Sequence, residues 1–248
     1  MESKNGKIIA VWGSVGSGKT TLSSQLALAL AEKKREVLVV YTDIITPVVP
    51  VLIPSQKEQI SMGALWSDPE SSVESILKAC VFTSYKHVCV LGYKGTEDVF
   101  SYPDYIKENV YRILMEMKEL ADYVIVDCVS YAVYNILSTV ALESADSVLR
   151  VGEASLKSFS FFDSNLAMFT DSRYRTDEHI RILSKIKSFQ PKELASARLS
   201  TSYELPYELD IECSMLAGTL LSSRIGGVYG EQIDKIRTVL MEGDELDE

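Results

Sequence analysis

Gly13, Gly18, Lys19 and Thr20 stand at the spacing G-x-x-x-x-G-K-[ST] within Ile8 to Thr21, IIAVWGSVGSGKTT. That spacing is the pattern of a phosphate-binding loop. Glycines let successive backbone N–H groups curl inward toward phosphate oxygens, and the helix that follows adds its positive N-terminal end. Lys19 is placed to reach β- and γ-phosphates, and Thr20 to offer its hydroxyl to Mg²⁺. The expected contact set is Gly13, Ser14, Val15, Gly16, Ser17, Gly18, Lys19, Thr20 and Thr21. The flanks agree with the motif: an apolar run, Ile8 to Trp12, precedes it and an alanine- and leucine-rich segment follows.

Two carboxylates and one aromatic turn fall where such a loop needs partners. Asp127 ends the apolar run Tyr123 to Val126, the place of a Walker-B aspartate that holds Mg²⁺ directly or through water. The alternative for Asp127 is a cap on the next helix. Asp43 follows the apolar run Val37 to Tyr41. It could orient a metal-bound or attacking water, although a strand-end Asp is also a common turn former. Pro206-Tyr207 lies late enough to wall a base pocket by aromatic stacking, with a plain surface turn as the competing reading.

The elements that must position these residues follow from periodicity. Residues 22–33 carry apolar side chains at helical spacing among good helix formers. Further strands are expected over Val88 to Leu91, Ser147 to Val151 and His179 to Leu183. Helices are expected over Ser67 to Ala79, Asp104 to Leu120, 131–143, 155–169, 191–196, Glu212 to Leu220 and Val228 to Met241. Pro47, Pro50 and Pro54 make 44–66 an irregular loop, and 197–204 leads toward Pro206. Strands alternating with helices predict an α/β fold, a doubly wound and mainly parallel sheet flanked by helices. Residues 1–248 are expected to form one domain, with the acidic tail over 242–248 frayed.

Composition narrows the function. A net charge of −10 weighs against broad, nonspecific DNA binding, which depends on basic residues. A local basic patch stays open, because Arg173, Arg175, Arg181, Lys185, Lys187 and Lys192 fall close together, although such a run is usually a solvated face. No apolar run is long enough to span a membrane, and the polar start MESKNGK shows no signal peptide. Cys80, Cys89, Cys128 and Cys213 lack metal-ligand spacing and read as reduced, mostly buried thiols of a cytoplasmic protein.

Over nearly its whole length the chain resembles the ParA/MinD-type P-loop ATPases, the deviant Walker-A group. The resemblance rests on the phosphate loop with LSSQLALALAEKKREVLVV after it, on Asp43, on YVIVD ending at Asp127, on ESADSVLRVGEASLKS and on LPYELDIECSMLAGTLL. It implies ATP and Mg²⁺ as ligands, a homodimeric ATP-bound state and a bacterial cytoplasmic setting. Lys19 and Asp43 would then serve catalysis, Thr20, Asp127 and Asp43 the metal, and Pro206 and Tyr207 the base. MGALWSDPESSVESILKAC and LGYKGTEDVFSYPDY are similar to the TadZ/CpaE-like pilus-localisation branch. That likeness implies a protein partner in a pilus, secretion or cell-positioning system.

Departures from the family pattern cluster on catalysis. The group's signature lysine, five residues before Lys19, is here Ser14. Its usual paired aspartates reduce to Tyr41-Thr42-Asp43, and Cys128-Val129-Ser130 follows Asp127. Loss of a cation that stabilises transferring phosphate can cost ~10³–10⁵ in rate. A nucleotide switch with slow or absent hydrolysis is therefore expected. The competing readings are a DNA-partitioning ATPase, disfavoured by the acidic balance, and a bacterial tyrosine kinase. The kinase reading is disfavoured because no arginine follows Asp43 in this chain and its tyrosines form no terminal cluster. A scaffold with a relic loop is disfavoured because Lys19 and Thr20 are both kept. The C-terminal stripe Ile233, Ile236, Val239 and Leu240 is expected to pack on the core, since an anionic bilayer would repel the acidic tail.

Overall fold

The computed structural model describes residues 5–54 and 60–242. Eight strands form one sheet: β1 (Lys7–Gly13), β2 (Val37–Tyr41), β3 (Val81–Phe82), β4 (Val88–Leu91), β5 (Tyr123–Asp127), β6 (Ser147–Glu153), β7 (Ile180–Ile186) and β8 (Tyr203–Pro206). Their order is β3-β4-β2-β5-β1-β6-β7-β8, parallel throughout except for the antiparallel edge pair β3–β4. β1 lies centrally, between β5 and β6, so the chain winds to one side and then to the other. The expected doubly wound sheet is present. Its central strands read as continuous apolar runs because helices cover both faces.

Ten helices accompany the sheet among the described residues: α1 (Lys19–Leu30), α2 (Val49–Leu52), α3 (Met62–Ser67), α4 (Val73–Ala79), α5 (Lys107–Leu120), α6 (Ile136–Ser144), α7 (Leu156–Asn165), α8 (Lys192–Leu199), α9 (Leu209–Leu216) and α10 (Gly227–Met241). Alternation along each strand splits the interior in two. Ile8, Ala10, Trp12, Val124 and Val126 face α5, α6 and α7 through Val110, Ile113, Leu137 and Phe162. Ile9, Val11, Val39, Ile125 and Val151 face α1 and α10 through Leu22, Leu26, Ile233 and Ile236. Because α1 lies between sheet and α10, every residue from Leu22 to Leu30 is buried, with Ser23, Ser24 and Gln25 each hydrogen-bonded inside. Ile233, Ile236 and Leu240 pack inward as expected, while Val239 is 39% exposed. Arg224 and Arg237 both pair with Glu32, tying α10 and the turn before it to the end of α1.

Several expectations are corrected. The helix expected over Ser67 to Ala79 is confined to α4, Val73–Ala79, with Ser72 at its N-cap. Pro69 disfavours the helical region for the residue before it, and Asp68 is extended (φ −95°, ψ 111°). Ser61 caps α3, its Oγ accepting from the N–H of Gly63 at 3.1 Å, so the expected loop over 44–66 contains α2 and α3. The helix near the C-terminus runs over Leu209–Leu216 rather than from Glu212 to Leu220, ending ahead of Gly218 in the left-handed region (φ 66°). Tyr203–Pro206, read as a lead-in, is the edge strand β8. The helix expected over 131–143 starts as a 3-10 turn, Ala132–Tyr134. It becomes α6 only after Asn135, whose side chain accepts from Ser138 N–H at 2.8 Å. Of the four cysteines, all free, only Cys128 is buried; Cys213 is exposed. The expected tail over 243–248 lies outside the described residues.

Candidate nucleotide-binding site

The loop joins β1 to α1 at the carboxyl edge of the central strand, the position where open α/β sheets take ligands. Two glycines are required there on steric grounds. A Cβ on Gly13 would stand 1.8 Å from the carbonyl oxygen of Val151, so only glycine lets β1 and β6 pass. Gly18 sits at φ 82° as the N-cap of α1 and supplies no side-chain cap. The first N–H groups of α1 are thereby left to a ligand, and no side chain competes with an incoming anion.

Around this loop the expected residues converge. Thr20 Oγ1 donates to Asp127 Oδ2 at 2.6 Å, and Ser23 Oγ donates to Oδ1 at 3.2 Å. Parallel pairing of β5 with β1 and β2 places Asp127 beside Val11 and Tyr41. Burial raises the Asp127 carboxyl to about 6, against the opposing effects of the Thr20 hydrogen bond, the Lys19 charge and the Ser23 hydrogen bond. Lys19 Nζ donates to Ser130 Oγ at 2.7 Å and to the Ser14 carbonyl at 3.0 Å, and burial lowers its pKa. Asp43 lies within electrostatic reach of both Lys19 and Asp127. Its Oδ1 accepts from the N–H groups of Ile45 (2.9 Å) and Thr46 (3.1 Å), so it forms a turn and keeps one carboxylate oxygen for other partners.

A buried carboxylate whose neutralising groups are two hydroxyls and a nearby ammonium fits a hard divalent cation. Thr20 Oγ1 and Asp127 are oxygen donors 2.6 Å apart, and a cation there would reverse the desolvation that raises Asp127.

Beside the loop lies a recess of about 170 Å³ lined by residues that include Gly18, Thr21, Pro206, Tyr207 and Tyr229. Pro206 and Tyr207 therefore line the same recess as Gly18 and Thr21 of the loop. They do so because β8 pairs with β7 and delivers its carboxyl end next to Ser184 and Lys185. Lys187 Nζ stands 4.6 Å from the centre of the Tyr207 ring.

Two members of the expected contact set are turned inward: Ser17, fully buried, donates both its N–H and its hydroxyl to the Ser14 carbonyl, and Ser14 lies behind it. Ser14 is 2% exposed, its Oγ hydrogen-bonds to Ser158 Oγ at 3.0 Å, and its N–H donates to Val151. Its carbonyl is engaged by Lys19 and by Ser17 Oγ at 2.8 Å. Ser14 thus braces the loop from within and offers a ligand neither side chain nor N–H. Val15, by contrast, is 59% exposed at the loop's tip.

Residues that sequence reasoning did not single out complete the site. Ser130 and Ser23 hold Lys19 and Asp127. Lys185 Nζ donates to the Gly16 carbonyl at 2.7 Å and its aliphatic stem lies over Gly18. A break in pairing between Leu183 and Ile186, with Lys185 at φ 56°, turns this side chain toward the loop. In sequence Lys185 was one of six neighbouring basic residues, and nothing in its spacing set it apart.

A family model described as "AAA domain" matches residues 6–161. The chain belongs to this family. Its fold is that of the ParA/MinD-type P-loop ATPases. The septum site-determining protein MinD from Pyrococcus horikoshii OT3, solved with Mg-ADP, is 17% identical, with 98% of each chain covered and a TM-score of 0.75. A ParA family ATPase from Chlorobium tepidum TLS is 15% identical, covering 94% of this chain and 98% of that one, with a TM-score of 0.76. An ATP complex of McdA from Cyanothece is 14% identical, covering 96% and 97%, with a TM-score of 0.70. Comparison with curated proteins by sequence finds no match. No helix among the described residues is long and apolar enough to cross a membrane.

Proposed function

We propose that this chain is a nucleotide-dependent dimerisation switch that binds Mg·ATP at the phosphate loop, hydrolyses it slowly or not at all, and positions a partner assembly. The observation that carries the reading is the Thr20–Asp127 contact of 2.6 Å beside a buried Lys19, a cation and phosphate site assembled in advance. In this reading Gly13, Val15, Gly16 and Gly18 to Thr21 cradle the phosphates, Thr20, Asp127 and the free oxygen of Asp43 serve Mg²⁺, and Pro206 and Tyr207 flank the base. Ser14 supports the slow-turnover part, because its side chain is locked to Ser158. ATP supplies the differential contact a switch needs: its γ-phosphate and Mg²⁺ hold loops that a diphosphate releases.

The partner assigned is a pilus or secretion machine, on the likeness of two segments to the TadZ/CpaE-like branch. Those segments pack on each other. The Tyr102 ring covers Gly63, Ser61 Oγ donates to Glu97 Oε2 at 2.6 Å, and Met62 N–H donates to the Gly92 carbonyl at 3.2 Å. Phe100, 91% exposed, and Val99 stand on this unit with no core to cover them.

Isothermal titration of ATP, ADP and GTP with Mg²⁺ into wild type and Lys19→Ala tests the site, and light scattering with and without ATP tests the switch. Saturable Mg·ATP binding that Lys19→Ala abolishes, with ATP-dependent association, is expected. Equal binding by Lys19→Ala would overturn the site, and an unchanged mass would overturn the switch. Salt-sensitive retention on DNA with ATP would move the cargo from a protein assembly to a nucleic acid.

A further inference from the structure

Away from the phosphate loop, two arginines share one face of the sheet without an ion pair among the described residues. Arg150 of β6 and Arg181 of β7 are paired in register. Their Cα atoms thus stand about one strand spacing, ~4.8 Å, apart and their side chains leave the same side. Like charges directly opposite one another are destabilising. Arg150 makes no hydrogen bond or ion pair with any described residue; its guanidinium rests 5.9 Å from the centre of the Phe162 ring. Arg181 Nη2 donates to the Asp177 carbonyl at 3.3 Å, and its Nε is buried without a partner. Burial, then the charge of Arg181, pushes Arg150 down to about 10 against the opposing charge of Asp177.

Both side chains line a recess of about 130 Å³ together with Arg198, Asp163 and Ser200. Arg198 and Asp163 pair at 2.8 Å and cancel each other, which leaves the charge of two guanidiniums. The N–H groups of Ser200 and Thr201 are already bonded to Ala197 and Ser196 carbonyls. Donors left for a ligand are therefore the two arginine forks and the Ser200 hydroxyl. Planar guanidiniums match the oxygens of phosphate in paired hydrogen bonds, and a recess of this volume takes one such group with room beyond it. In a chain of net charge −10, two neighbouring unpaired arginines are a local inversion that a bound dianion would relieve. Arg181 is the second residue of β7, at the amino end of its strand, whereas the phosphate loop lies at the carboxyl edge.

We propose that this recess is a second anion site, in which Arg150 and Arg181 together hold a small phosphate-bearing dianion independently of the nucleotide.

The test is titration of inorganic phosphate at low ionic strength into Lys19→Ala, which weakens the phosphate loop as a competing site, and into Lys19→Ala carrying Arg150→Leu or Arg181→Gln. One-to-one binding that weakens at least ~10-fold in each arginine variant is expected, a loss on the order of one charge-assisted contact. Equal affinity in both variants, or no saturable binding by Lys19→Ala, overturns the site. O-phosphoserine in a parallel titration distinguishes sources: tighter binding assigns a phosphomonoester, weaker binding free phosphate, and either sustains the dianion. Hydrogen exchange of the wild-type chain needs no variant. Phosphate must slow exchange at 150–152 and 196–202, and protection confined to 13–21 overturns the proposal.

Discussion

Replacing Asp127 by asparagine should stabilise the metal-free protein at neutral pH while disabling it. The carboxyl is buried and raised from 3.8 to about 6, chiefly by burial. A group whose folded pKa lies above its unfolded value holds its proton longer in the native chain. Its contribution to stability is complete below about pH 4 and is lost as pH rises through about 6. A shift of about two units corresponds to ~3 kcal/mol at pH values above both. An amide removes that loss, but it turns one acceptor into a donor opposite the Thr20 and Ser23 hydroxyls, at a cost of about 1 kcal/mol. Asp127→Asn should therefore gain ~1–2 kcal/mol near pH 7.5, which for a chain of this size raises Tm by roughly 2–8 °C. Near pH 4 the gain should vanish or reverse. Denaturant unfolding in chelator at the two pH values reads the difference, and titration with Mg·ATP reads the expected loss of Mg²⁺-dependent affinity. A variant less stable than wild type at both pH values by the same amount would refute the reasoning, because Asp127 would then be stabilising in its charged form.

Other outcomes follow from single contacts. Lys185→Ala removes the Nζ contact to Gly16 and should weaken ATP by about tenfold, measured by titration, with unfolding changed by less than ~0.5 kcal/mol because the side chain is exposed. Ser14→Lys should not restore fast hydrolysis in a phosphate-release assay. The position is 2% exposed against Ser158, and overpacking there should cost ~1–3 kcal/mol in a denaturant melt. Gly13→Ala puts a methyl 1.8 Å from Val151 O and should abolish soluble expression or lower Tm by more than any other substitution in the loop. Trp12→Ala opens a cavity beneath Phe161, Phe162 and Phe169 and should cost ~3–5 kcal/mol by the same melt, reaching the site through the lost Trp12 Nε1–Ser130 hydrogen bond of 2.9 Å.

What was legible in the sequence is what local rules control. The run Ile8 to Trp12, the loop and α1 follow from continuous hydrophobicity and a fixed motif, and Asp127 follows from the end of an apolar strand. Pro206 and Tyr207 were legible as a position but not as the end of β8 and the residue after it, because Tyr203–Pro206 is short and its pairing with β7 is a long-range fact. The break between α3 and α4 was available in Asp68-Pro69, where the pre-proline restriction outweighs the apolar stripe around it. Lys185 and Arg150 were not legible. Each acquires its meaning from register across β6, β7 and β8, whose paired residues, such as Arg150 with Arg181 or Ile182 with Tyr203, are far apart in the chain.

Ser14 and Lys185 together change what the missing lysine implies. Position 14 is an interior position here: its N–H, carbonyl and hydroxyl are all engaged within the protein, and a long cationic side chain there would have to displace Ser158. A second cation beside Lys19 cannot come from position 14, and β7 supplies one. Lys185 already touches Gly16 and lowers the pKa of Lys19, so it adds positive potential to the loop from the same chain. A lysine of the same chain would reach a ligand in this loop whether or not a second subunit were present. In the switch proposed above, positive charge at the phosphates would thus be supplied within one chain, before any association. If Lys185→Ala lowered affinity only in the associated state and left the monomer's affinity unchanged, the in-cis assignment would fail.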